Sequence, residues 1–310
     1  MTASPSFGTV LTMWSFQPTV ILGLALLAGI YIAGLRELQR RGRYGTLVRQ
    51  QHVVYFALAL CTIFLALESP IDVLSNQLFS VHMLQHVMLL SIAPPLLLLG
   101  KPIPVLLVGA PHPVVRRVAR AHARQRWFHG LTAVLTTPIV AWLAFSVVLV
   151  WHAPAFYQAA LRSDGVHLFE HVCYLAAGML FWWVVIEPLP GPPRLAYVWR
   201  ILYLVSAMLP GTLLGVFFAI NSTPVYPFYA ALPRLWGIPA LTDQGWAGVI
   251  MMMLGDSILV IAAAPLLAAL IARLDASEFA RAAALEAAQQ QEDARAMSFD
   301  EATAAHRTGA

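Results

Sequence analysis

The chain has 310 residues, of which 59% are hydrophobic and 11% are charged, and its formal net charge is +4. A water-soluble domain usually carries about 25% charged residues, so this composition excludes an ordinary soluble globular fold. A transmembrane β-barrel would show short segments of alternating hydrophobicity, whereas the runs at 20–27 and 139–150 are apolar on every face. We therefore expect an integral membrane protein made of helices.

Apolar segments long enough to cross a bilayer recur along the chain. A helix needs about 20 predominantly apolar residues to span the hydrocarbon core. Seven segments come close to that length, at 18–35, 52–67, 79–100, 131–151, 166–186, 201–220 and 246–272. No lysine or arginine precedes the first segment and no clear small-residue cleavage motif follows it, so we expect it to remain in the mature protein. The predicted fold is all-α, a polytopic protein of about seven transmembrane helices.

The distribution of lysine and arginine predicts how these helices are oriented. Cationic connections stay in the cytoplasm. All but two of the 19 basic residues fall in alternate connections and in the C-terminal tail, and the exceptions are Arg162 and Arg234. We therefore predict an N-terminus outside the cytoplasm and a C-terminus inside it. The sequence pI of about 9.3 reflects this topology and contact with the lipid bilayer, and we expect no nucleic-acid partner.

The composition changes near residue 272, where the last apolar segment gives way to a stretch rich in Ala, Glu, Gln and Arg. We divide the chain at this point into a seven-helix transmembrane domain, 1–272, and a cytoplasmic tail, 273–310. The tail is expected to begin as a helix and to become disordered toward its end.

Histidines are concentrated on one side of the predicted membrane. An ionisable group inside a bilayer is costly and tends to mark function. Five of the ten histidines fall in the outer halves of the third, fourth and fifth helices: His82, His86, His152, His167 and His171. The first two and the last two are each spaced i, i+4, which places each pair on one helix face about one turn apart. Two such pairs facing each other predict a metal site.

Methionines and a carboxyl group near the same side bear on the choice of metal. Imidazole suits copper, zinc and iron, and a thioether favours Cu(I). Met83 follows the first histidine, and Met252 is the middle of three consecutive methionines in the last helix, so both are candidate auxiliary ligands. Asp256, inside the same helix, is either a waypoint for a cation or proton or a carboxyl group hydrogen-bonded to a neighbouring helix. These residues favour copper, as Cu(I) in preference to Cu(II), although the spacing of the histidines alone does not separate copper from haem.

Other functions are compatible with the same residues. A facing pair of helical histidines is what haem b requires, so a membrane redox protein is one alternative. A copper transporter, with Asp256 deeper along its path, is another. The segment HLFEH at 167–171 also matches the H-x-x-E-H pattern of inverted zinc proteases. That reading leaves the other outer histidines unexplained.

Three stretches, taken in order, carry a resemblance to a known family. They are HMLQHVMLLSIAPPLLLLGKP from His82, WHAPAFYQAAL from Trp151 and HLFEHVCYLAAGMLFWW from His167. Over roughly residues 15–272 the chain resembles the CtaG family of caa3-type cytochrome c oxidase assembly factors. The resemblance implies a multi-pass protein of the bacterial plasma membrane, without enzymatic turnover, that helps supply copper to the CuB centre of the oxidase. The implied partners are the oxidase catalytic subunit and a periplasmic copper donor.

Overall fold

The computed structural model describes residues 5–109, 113, 117, 126–189 and 193–308, and these residues are almost entirely helical. The described part contains no β-strand, only an isolated bridge between Tyr44 and Val48. Its α-helices in chain order are α1 (Phe7–Leu11), α2 (Pro18–Arg40), α3 (Gln50–Glu68), α4 (Pro70–Ser75), α5 (Phe79–Val87), α6 (Ala93–Leu99), α7 (Pro102–Gly109), α8 (Arg126–Leu135), α9 (Pro138–Phe145), α10 (Val147–Trp151), α11 (Pro154–Arg162), α12 (Asp164–Ile186), α13 (Tyr197–Ile220), α14 (Pro227–Ala231), α15 (Ala240–Val249) and α16 (Gly255–Thr308). Much of the predicted basic connection at 101–130 lies outside the described residues.

Six helices are long and apolar enough to cross a membrane. They are Pro18–Arg40, Gln50–Glu68, Phe79–Leu99, Asp164–Ile186, Tyr197–Ile220 and Ala240–Gln291. A bent pair, Pro138–Trp151 and Pro154–Arg162, provides a seventh candidate with a bend of 74°. The all-helical prediction is thus confirmed, with six or seven candidate spans. We number them in chain order and count the bent pair as the fourth.

The fourth span is the least regular, and its prolines explain why. The predicted segment 131–151 is divided among α8, α9 and α10, and the chain turns again before α11. Pro138 and Pro154 each lie in the first turn of a helix. Backbone N–H groups there make no hydrogen bond within the helix, so proline is tolerated. The residues before them, Thr137 and Ala153, are extended, as expected before proline. The second of these turns places His152 at a helix end.

Apolar side chains are exposed on the outside and polar side chains are buried within. Leu22, Ile139 and Ile220 are 68%, 71% and 76% exposed, as expected for residues that face lipid. The buried polar residues include Glu68, Asp72, Gln85, Glu170, Asp243, Gln244 and several of the predicted histidines. Such groups are costly in a membrane interior and are usually retained for function.

A π-helical turn, Met88–Ile92, joins α5 to α6 within the third span. Pro94 lacks an N–H, and its ring would collide with the Leu90 carbonyl four residues earlier in a regular helix. The wider turn relieves this collision and leaves the Leu90 carbonyl facing Gly178 of α12. Such turns frequently lie at functional sites, and this one follows directly after His86.

We expect Gly178→Ala to destabilise the protein, because the added methyl group would overlap the Leu90 carbonyl oxygen and Pro94. Overpacking of this kind costs about 1–3 kcal/mol. Thermal unfolding of the detergent-purified protein, followed by tryptophan fluorescence, should show a lower midpoint. Gly23→Ala is the matched control, because nothing lies within 4 Å of a Cβ built on Gly23. Equal midpoints for the two variants would contradict the close approach of α12 to the third span.

The chain divides into two units, Met1–Ala263 and Ala264–Ala310. The first contains all the predicted metal-binding residues. In the second, the described residues through Thr308 belong to α16. The predicted boundary between 272 and 273, and the predicted loss of order toward the end of the tail, stay predictions.

Candidate metal centre

Four of the five predicted histidines lie together. One ring nitrogen from each of His82, His86, His167 and His171 lies within 4.8 Å of the others. His82 Nε2 is 2.9 Å from His86 Nε2 and 3.3 Å from His167 Nε2. In tetrahedral coordination with metal–nitrogen distances of about 2.0 Å, the ligand nitrogens lie roughly 3.3 Å from one another. Small side-chain movements would therefore allow all four histidines to bind one ion. We call this group the four-histidine cluster.

Two helices supply the cluster, each with a pair of histidines one turn apart. α5 carries His82 and His86, and the first turns of α12 carry His167 and His171. His82, His86 and His171 are buried, whereas His167 is half-buried. Gly178 lies two turns beyond His171, so the close packing of α12 on the third span holds the two pairs face to face.

The N-terminus of α5 is capped by a side chain from a distant part of the chain. Phe79 and Ser80 donate their backbone N–H groups to Asp243 Oδ2 and Oδ1, at 2.7 and 3.0 Å. These are unpaired donors of the first helical turn, and a carboxylate there also complements the helix dipole. Asp243 is buried and belongs to α15. The seventh span therefore fixes where the histidine-bearing helix begins.

Tyr229 fixes the tautomer and the orientation of His82. The tyrosine hydroxyl donates to the Ser75 carbonyl oxygen at 2.8 Å and lies 2.8 Å from His82 Nδ1. Burial raises the pKa of Tyr229 well above its ordinary value, so the hydroxyl keeps its single proton. Because the tyrosine proton is donated to the Ser75 carbonyl oxygen, the hydrogen in the bond between Tyr229 and His82 belongs to His82 Nδ1. His82 Nε2 then presents a lone pair to the cluster, as in histidines that bind metals.

A buried carboxyl group lies beside the cluster. Glu170 is 0% exposed, and its Oε1 is 3.8 Å from His86 Nε2. Neither oxygen of Glu170 has a hydrogen-bond partner among the described residues, and the same holds for His86 Nδ1 and His171 Nε2. Buried polar groups are nearly always hydrogen-bonded or bound to an ion or water. This concentration of unpaired groups fits a site that receives a cation.

The fifth predicted histidine, His152, lies next to the cluster. Its ring centroid is 6.0 Å from that of His86, and its Nε2 is 3.0 Å from Met83 Sδ. Both His152 and Met83 are buried. The structure therefore pairs Met83, one of the two predicted sulfur ligands, with this fifth histidine.

The two predicted residues of the seventh span lie apart from the cluster. Asp256 accepts a hydrogen bond from Thr212 Oγ1 at 2.7 Å, which is the hydrogen-bonded alternative considered for this carboxyl group. It also lines an apolar cavity that reaches His86 and His152. Met252 lines a different cavity, which it shares with Asp256 and Thr212 and whose described lining contains no histidine.

A polar cavity of about 90 Å³ adjoins the other side of the cluster. Its lining consists of Gln17, Val20, Leu67, Asp72, Asn76, Asp164, His167, Leu168 and His171. Carboxyl groups attract cations. The cavity thus brings the carboxyl groups of Asp72 and Asp164 next to two histidines of the cluster.

Comparison with known proteins shows which family the chain belongs to. The chain is 29% identical over 249 residues to an uncharacterized protein of Mycobacterium bovis and 27% identical over 260 residues to one of Mycobacterium leprae. Each match covers 79% of this chain but only 37% and 38% of the relatives, so the chain spans less than two fifths of their length. No solved structure is significantly similar to it. The family model described as cytochrome c oxidase caa3 assembly factor matches residues 29–273, and the chain belongs to this family.

Proposed function

We propose that the protein binds Cu(I) at the four-histidine cluster and helps supply it to the CuB centre of a caa3-type cytochrome c oxidase. The observation that carries this proposal is the four-histidine cluster itself, in a member of an oxidase-assembly family. Imidazole nitrogens suit copper, and the thioether beside His152 adds a soft donor nearby. Copper is the cargo in this proposal, and the protein performs no chemical turnover.

The position of the cluster within the spans suits delivery from outside the cytoplasm. Its histidines lie in the first turns of the third and fifth spans. Both spans begin at the outer face of the bacterial plasma membrane if the N-terminus lies outside. We propose that orientation because the basic residues gather in the opposite connections. A periplasmic donor would then load the cluster, and the oxidase catalytic subunit would receive the copper.

The geometry favours a single ion over a haem. The ring centroids of His82 and His167 are 4.9 Å apart, which leaves no slot for a porphyrin between them. The adjoining cavities measure about 50 and 90 Å³. Pockets that accept organic ligands usually measure about 300–1,000 Å³.

Metal analysis and an optical spectrum of the detergent-purified protein, loaded with Cu(I), test the proposal. We expect stoichiometric copper without a Soret band. An oxidase produced in cells that lack this protein should be short of copper at CuB and should regain it when the protein is restored. A Soret band would support the haem alternative, and copper uptake into proteoliposomes would support a transporter. A protein that binds no copper would refute the proposal.

A further inference from the structure

We propose that Met83 and His152 form a second Cu(I) position, next to the four-histidine cluster and reached from it through His86. This inference rests on the proposed function. It divides what the sequence predicts as one copper site into two successive positions, the first made of nitrogen donors and the second containing sulfur.

The contact between Met83 and His152 lacks the hydrogen that a hydrogen bond needs. His152 Nδ1 is 2.7 Å from the Val148 carbonyl oxygen, and a carbonyl oxygen only accepts, so Nδ1 carries a hydrogen. His152 is 4% exposed within an apolar span. A neutral imidazole has one N–H, so Nε2 presents a lone pair. The Met83 sulfur, 3.0 Å away, has no hydrogen to donate.

The same separation suits two ligands of one ion. Two lone pairs at such a distance repel each other, and a Lewis acid bound by both removes the repulsion. With metal–nitrogen and metal–sulfur distances of about 2.0 and 2.3 Å, ligands at angles between a right angle and the tetrahedral angle lie roughly 3.0–3.5 Å apart. The observed 3.0 Å between His152 Nε2 and Met83 Sδ falls at the lower end of that range. Thioether together with imidazole selects Cu(I) over harder ions.

An apolar cavity of about 50 Å³ adjoins the pair and is suited to a soft ion. Its lining includes Met83, His86, His152 and a second buried thioether, that of Met251. Most of the other lining residues are apolar, among them Phe145 and other large side chains. A strongly hydrated divalent ion would find few oxygen donors here, those of Ser91, Tyr174 and Asp256, to replace its water, whereas Cu(I) would gain the Met83 sulfur as a ligand.

His86 connects the two positions. Its Nε2 is 2.9 Å from His82 Nε2 in the cluster, and its ring also lines the apolar cavity beside His152. A copper ion that leaves the other three histidines can therefore keep His86 as a ligand while it gains His152 and Met83. Exchange of one ligand at a time keeps the copper ion coordinated, because an ion without ligands in the membrane interior would be costly. The second position gives the copper a route away from the cluster.

X-ray absorption at the copper edge tests the second position directly. The wild-type protein loaded with Cu(I) should show a sulfur neighbour at about 2.3 Å in addition to nitrogen. Met83→Leu keeps the side-chain volume and should remove this sulfur while copper stays on nitrogen. Met88→Leu is the matched control, because Met88 is buried in the same span but is not among the described residues that line the cavity. This control should keep the sulfur neighbour.

A second variant isolates the proposed position. His167→Ala/His171→Ala removes the pair of cluster histidines on α12 and leaves His86, His152 and Met83. This variant should retain copper with a larger sulfur contribution, and adding Met83→Leu should abolish binding. Copper surrounded only by nitrogen in the wild type, or sulfur that survives Met83→Leu, would overturn the second position while the four-histidine cluster stands. Loss of copper from the His167→Ala/His171→Ala variant, with its thermal midpoint unchanged, would do the same. A wild type without copper refutes the proposed function itself.

Discussion

Replacing His82 and His86 together by alanine should abolish copper binding to the purified protein. The two side chains supply half of the four-histidine cluster, and His86 is also the link to His152. Loss of a single residue that hydrogen-bonds to a metal ligand lowers metal affinity by about 10–100-fold. Loss of two direct ligands should lower it further. Metal analysis after dialysis against a weak Cu(I) chelator would measure the effect. In cells, the oxidase should be short of copper.

Two further variants separate the loss of ligands from damage to the fold. His82→Asn/His86→Asn keeps polarity and part of the volume, so it should lose copper with a smaller change in thermal midpoint than the alanine variant. His52→Ala is the matched histidine control, because half-buried His52 lies at the start of the second span, where its Nδ1 contacts the Leu99 carbonyl oxygen at 2.9 Å. It should bind copper and support the oxidase like the wild type. Normal copper binding and full oxidase activity in the His82→Ala/His86→Ala variant would show that the site lies elsewhere.

Most spans could be predicted because long apolar helices leave a continuous signal in the sequence. The third predicted segment, 79–100, corresponds to Phe79–Leu99, and the fifth, 166–186, to Asp164–Ile186. The fourth could not be predicted with the same accuracy, because its breaks depend on single residues. Pro138 and Pro154 each begin a new helix inside an apolar stretch, and hydropathy alone does not register them.

The four-histidine cluster could be predicted because the i, i+4 spacing is a local property of each helix. The residues that orient the cluster could not be, because their contacts join distant parts of the chain. Asp243 lies 164 residues from the Phe79 N–H that it accepts, and Tyr229 lies 147 residues from His82. Neither residue belongs to a periodic pattern. The sequence likewise could not predict that His152 and Met83 lie beside the cluster and not within it, because their position depends on how the fourth span packs against the third.

Tyr229→Phe should weaken Cu(I) binding by about 10–100-fold, the usual effect of removing a residue that orients a metal-binding histidine. The tyrosine hydroxyl accepts the N–H of His82 Nδ1 and donates to the Ser75 carbonyl. Without it, the hydrogen of His82 is free to move to Nε2, the atom that faces the cluster, and the ring loses its fixed orientation. Competition with a chromophoric Cu(I) chelator would measure the change in affinity.

Tyr31→Phe is the control for this prediction, because it removes a similar buried hydrogen bond away from the cluster. The Tyr31 hydroxyl donates to the Gly100 carbonyl oxygen at 2.8 Å. Both variants should lose about 1 kcal/mol of stability, the usual net value of one hydrogen bond, but only Tyr229→Phe should lose copper affinity. Equal affinity losses would indicate a general effect of stability on binding. Wild-type affinity in Tyr229→Phe would mean that ring packing alone orients His82, since its ring also contacts those of His86, Tyr157 and His167.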